Sequence, residues 1–122
     1  MIAMLLQMAA IPPLSLAPFY DRPAAAEALE AAMGCLAEGV YSRRNDARSL
    51  KLLADEVRQA CKTQANELRA ELTTVFEHDP KRMPSGSTAS DAANIYVAEL
   101  LNRVDAIFEE ERANEKANNV AN

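Results

Sequence analysis

The run LKLLADEVRQACKTQANELRAELTTVF, residues 50–76, decides the fold of this chain. Leu50, Leu53, Val57, Cys61, Ala65, Leu68, Leu72 and then Val75 or Phe76 recur at steps of three and four residues, the spacing that places side chains on one face of an α-helix. The opposite face carries Asp55, Glu56, Arg58, Lys62, Glu67, Arg69 and Glu71, so the helix is amphipathic and must bury one side against a partner. Either Asp46 or Ser49 can cap its start. His78-Asp79-Pro80 ends it, because proline disfavours a helical residue before it. The pattern predicts one continuous helix of about seven turns.

On the N-terminal side of this run, Asp21 before Pro23 suits an N-cap followed by a first-turn proline, which predicts a helix from Pro23 to about Arg44. Leu29, Met33, Leu36 and Val40 form a ridge along it, and Ala28, Ala31, Ala32, Cys35 and Gly39 form a second ridge of small residues. Gly34 and Gly39 each cost about 1 kcal/mol relative to alanine in a helix interior, which a closely packed partner offsets. Arg43 and Arg44 suit the negative end of the helix, and Asn45-Asp46 reads as a turn.

On the C-terminal side, residues 79–89 hold Pro80, Pro84 and Gly86 and read as an exposed loop. Ser87, Thr88 or Ser90 can cap a third helix with Asp91 in its first turn. Its predicted apolar face is Ile95, Val97 or Ala98, Leu101, Val104, Ile107 and Phe108, with Leu100 beside it. After Glu109-Glu110-Glu111 the apolar pattern stops, and residues 113–122 are expected to fray. No window alternates polar and apolar residues for long enough to argue a strand. The expected fold is all-α: an antiparallel helical hairpin plus a third helix, three-helix bundle-like, forming a single helical domain over residues 21–112.

A chain of 122 residues buries enough surface to fold alone, with little margin. Aromatic residues are only 5% and Trp is absent, so the core has to be aliphatic. The 13 basic residues are interspersed among 18 acidic ones for a net charge of −5, which disfavours a nucleic-acid partner that requires a basic surface.

Residues 1–20 carry no charged side chain, the sharpest compositional break in the sequence. Met1 to Ile11 is apolar apart from Gln7, too short for the roughly 20 residues a transmembrane helix needs. It matches the apolar region of a secretory signal peptide, and Ser15-Leu16-Ala17 places small residues at the two positions a signal peptidase reads. Against this stand the missing basic residues before the run and Pro18, which is poorly accepted after a cut. A later cut within Pro23-Ala24-Ala25-Ala26 would remove the first turn of the following helix. The alternatives are an apolar arm packed across the helices in the cytosol and a membrane-surface anchor.

Cys35 and Cys61 are the only cysteines and lie equidistant from position 48, at the predicted turn. Both fall on inward-facing ridges, so a close helix approach brings them within disulfide reach. A bond here requires an oxidising compartment, which agrees with the signal-peptide reading and points to a periplasmic or secreted protein. The opposing reading is two unpaired core cysteines in a reducing cytosol.

No constellation marks an enzyme. There is no Cys-x-x-Cys pair, Gly-rich phosphate loop, Gly-x-Ser-x-Gly elbow or Glu-x-x-His motif, and His78 reads as a helix C-terminal histidine interacting with the helix dipole. Two cysteines and one histidine do not make up a structural zinc site, so neither metal nor cofactor is expected. Arg43, Arg44, Arg48 and Lys51 cluster around the turn and are the one candidate basic patch. The expected function is a small exported, non-catalytic helical protein that binds another protein as an accessory subunit, inhibitor or chaperone-like component. The alternative is a cytosolic helical module that binds nucleic acid, or a nucleic-acid-associated protein, through the basic turn.

Overall fold

A computed structural model describes Phe19 and residues 21–121 of the chain. The apolar segment 1–20 read as a signal peptide lies outside the described residues except for Phe19. The protein is all-helical, with α1 at Pro23–Ser42, α2 at Leu50–Ala60, α3 at Lys62–His78, a 3-10 turn at Pro80–Arg82 and α4 at Ala89–Ala121. There is no strand among the described residues, and no helix there is long and apolar enough to cross a membrane.

Pro23 opens α1, where its missing N–H costs nothing. The residue at the cap position is Arg22, which makes no side-chain capping bond, and the expected cap Asp21 instead pairs with Arg82. The charge-assisted pair draws the carboxylate away from the helix end. The far end of α1 is closed by its own arginines. Arg43 Nη1 donates to Gly39 O at 3.0 Å and Arg44 Nη1 to Tyr41 O at 2.8 Å, adding to the bonds these last-turn carbonyls accept from Ser42 Oγ and Arg44 N–H. Ser49 caps α2, its Oγ accepting from Leu52 N–H at 3.3 Å, and Thr88 Oγ1 caps α4 by accepting from Asp91 N–H at 3.1 Å.

The helix predicted to run unbroken through residues 50–76 is interrupted at Cys61, where φ is −100° and ψ 15°. The ladder closes around the break, since Cys61 N–H bonds Val57 O and Ala65 N–H bonds Cys61 O, each at 3.0 Å. The break falls within a run of four-residue steps. Leu53, Val57, Cys61 and Ala65 are all buried and stand three successive four-residue steps apart. Each such step drifts about 40° around an ideal helix of 3.6 residues per turn. A local change of twist at Cys61 brings Ala65, Leu68 and Leu72 back to the core.

In α4 the buried set is Ala92, Ala93, Val97, Leu100, Val104, Ile107 and Phe108. Ile95, which the sequence places on this face, is instead 56% exposed. Two residues from both Ala93 and Val97, it lies about 200° around the helix from each. The helical backbone also continues through residues 113–121, where fraying is expected from the loss of apolar pattern. Arg112 holds the start of this stretch to the α1–α2 turn, its Nη2 donating to Asp46 O at 2.9 Å and Arg48 O at 3.1 Å.

The core is mainly aliphatic, with Leu29, Leu36, Leu53, Leu68, Leu72 and Leu100 fully buried, and Phe19, Phe76 and Phe108 are buried with them. α1 touches α2, α3 and α4, and α4 touches α2 and α3 in turn. Along α1 the partners run in reverse order: Gly39 lies against Val57, Cys35 is bonded to Cys61, and Ala24 and Ala25 share a cleft with Glu71 and Val75. Gly86 has φ of 84°, a backbone state that suits glycine in the loop before α4.

Candidate functional site

Three features stand out from the helical framework: the disulfide, the basic turn and an apolar groove. Cys35 and Cys61 form a disulfide with Cα atoms 5.8 Å apart, closing a sequence separation of 26. Cys61 is buried at the break between α2 and α3, and Cys35 is partly buried on α1. The bond therefore ties α1 to the point where the second helical run is interrupted.

At the turn between α1 and α2, the cations singled out in the sequence divide. Arg43 and Arg48 converge on Glu56, with Arg43 Nε 3.2 Å from Oε1 and Arg48 Nη1 2.6 Å from Oε2. Arg48 also binds Asp46 through Nη2 to Oδ2 at 2.8 Å. Arg44 stands apart from these pairs, its guanidinium 3.8 Å from the centre of the Tyr41 ring. Lys51 is exposed on the first turn of α2 and belongs to none of these ion pairs. Hydrogen bonds from Arg48 bring the Asp46 carboxyl down to about 2, and bonds from Arg48 and then Arg43 lower that of Glu56. The turn is thus a mixed-charge network in which carboxylates face two of the four cations. His78 is exposed, its Nδ1 2.9 Å from Thr74 O.

The groove lies where Phe19, four residues before α1, meets the end of α3, the loop and the start of α4. It is a cavity of about 430 Å³ with walls of Phe19, Phe76, Pro84, Ala92, Ile95 and Tyr96, and Arg82 and Glu99 at its polar edge. Phe19 is only 3% exposed and meets Tyr96 edge-on, with ring centroids 5.7 Å apart and planes at 80°. Arg82 joins Asp21 and also Asp79, with Nε 2.9 Å from Oδ2, and so braces the loop against the entry to α1. The Tyr96 hydroxyl is buried without a hydrogen-bond partner among the described residues. Burial pushes its phenol up to about 12, and the charge of Glu99 adds to the effect.

Sequence reasoning does not find this groove, because Ile95 is assigned to the core and Phe19 to the leader. The detectable signal is that Ile95 and Val97, two residues apart, cannot share one narrow helix face. No protein-family model, curated protein or solved structure matches the chain.

Proposed function

We propose that this chain is a small exported, non-catalytic helical protein that binds a protein partner through the Phe19–Ile95–Tyr96 groove, as an accessory subunit, inhibitor or chaperone-like component. Its framework is an antiparallel hairpin of α1 with the α2–α3 pair, closed by α4 and stapled by the disulfide. The observation that carries the reading is the groove itself: apolar walls, a polar edge and, in one of those walls, a large aliphatic side chain, Ile95, that is 56% exposed. Anchoring side chains of partner proteins favour such desolvated apolar clefts with polar rims, and a partner helix delivers them at three- and four-residue spacing. The Cys35–Cys61 bond supports an oxidising compartment, periplasmic or extracellular, since such bonds rarely persist in the cytosol.

The test replaces Ile95 by aspartate, which leaves the core intact because the side chain is largely in solvent. The wild-type chain, carrying a photoreactive group at position 95, is expected to crosslink one protein from the periplasmic or extracellular fraction. Ile95→Asp is expected to lose that protein from a pull-down while melting at the wild-type temperature. A wild-type chain that retains nothing specific at any salt concentration would sink the reading.

A further inference from the structure

We infer that processing of this chain ends before Phe19, so that the mature protein keeps Phe19, Asp21 and Arg22 as structural residues rather than as the tail of a leader. The inference rests on the export reading above and specifies where the exported chain begins. The sequence offers two junctions of small residues: Ser15-Leu16-Ala17, and the later run Pro23-Ala24-Ala25-Ala26.

The two cuts leave different proteins. Phe19 is 3% exposed, packs edge-on against Tyr96 and forms one wall of the groove. Its carbonyl accepts from Arg22 N–H at 2.9 Å, and the Arg22 carbonyl in turn accepts from Ala26 N–H at 3.0 Å, the first bond of α1. Asp21 pairs with Arg82 and so ties the entry of α1 to the loop after α3. Ala25 is itself in the core at 1% exposure. A cut within residues 23–26 removes the groove wall, the pairing of Arg82 with Asp21 and the helix-starting bond together. It also leaves a cationic amine at the positive end of the α1 dipole, where cations are unfavourable. A cut before Phe19 keeps all of these, and its new amine lies outside the helix.

The deciding experiment is the intact mass and N-terminal peptide of the protein from its native host, alkylated with and without prior reduction. The expected result is a chain that begins at Pro18 or earlier in the 1–18 segment, lacks Met1, and gains two alkyl groups only after reduction. A disulfide-bonded chain that begins at any residue after Phe19 overturns this inference and leaves export standing. A chain that keeps Met1 and alkylates without reductant overturns export, and the inference with it. Independently, Phe19→Ala is expected to melt at a lower temperature than wild type and to release the partner that Ile95→Asp releases. Wild-type behaviour in both assays would overturn the role given to Phe19.

Discussion

Gly39 on α1 lies so close to Val57 on α2 that a Cβ added to it would sit 2.8 Å from Val57 Cγ1 and 3.4 Å from Val57 Cβ. Val57 is fully buried and, being β-branched in a helix, has little freedom to turn away. The glycine is thus what lets the two helices approach beside the disulfide. Gly39→Ala gains about 1 kcal/mol of helix propensity but meets an overpacking cost of roughly 1–3 kcal/mol, so a net loss of stability is expected in urea unfolding. Adding Val57→Ala should reduce the clash, whereas additive losses in the double variant would count against it. Gly34 has nothing within 4 Å of a built Cβ, and Gly34→Ala should stabilise by about 1 kcal/mol.

The Cys35–Cys61 bond closes a sequence separation of 26. Constraining the unfolded chain over such a loop contributes roughly 3.5 kcal/mol. Reduction, or the double variant Cys35→Ala with Cys61→Ala, is expected to move the urea midpoint down by a corresponding amount with the far-UV helix signal retained in water. Equal midpoints with and without reductant would show that the bond adds nothing to stability.

Acid should weaken the turn between α1 and α2. Hydrogen bonds from Arg48 lower the Asp46 carboxyl from its ordinary 3.8 to about 2, and Glu56 is lowered by Arg48 and Arg43. A carboxyl depressed in the folded state contributes stability that is present above its unfolded pKa and lost as pH falls through the folded one. Stability is therefore expected to hold near neutral pH and to decline from the ordinary carboxyl value of 3.8 toward 2. Asp46→Asn should be less stable than wild type at neutral pH and converge with it at the acid end. Parallel pH profiles would contradict the assignment.

Tyr96 gives the opposite sign in alkali. Its phenol rises from 10.0 to about 12 through burial and then the charge of Glu99, so its contribution is intact below 10.0 and lost as pH climbs toward 12. The hydroxyl has no hydrogen-bond partner among the described residues. Tyr96→Phe removes an unsatisfied polar atom while keeping the ring against Phe19, and should be neutral or stabilising by about 1 kcal/mol. It should also flatten the alkaline decline, read by helix signal against pH. A clear loss of stability at neutral pH would mean the hydroxyl is bonded after all.

The pattern in the sequence carried the local level well, for reasons that are themselves local. The three-and-four spacing from Leu53 to Leu72 names residues that are buried, because periodicity reports which side of a helix must leave water. Ser49 and Thr88 stand among the cap candidates that local rules supply, Asp46 or Ser49 for one helix and Ser87, Thr88 or Ser90 for the other, and the folded backbone selects between them. Asp21, which suits a cap by its position, pairs instead with Arg82, 61 residues away, a partner no local rule sees.

What the sequence alone determined is therefore the all-helical class, the mainly aliphatic core and the two cysteines placed to meet across a turn. Tertiary structure decided the rest. The break at Cys61 follows from the demand that Val57, Cys61 and Ala65 all face inward, a constraint set by what lies opposite them. The outward position of Ile95 depends on which stripe of α4 meets α2 and α3. The groove combines Phe19, Phe76 and Tyr96 from well-separated parts of the chain, and its existence is a property of how those parts pack, which periodicity along one segment does not encode.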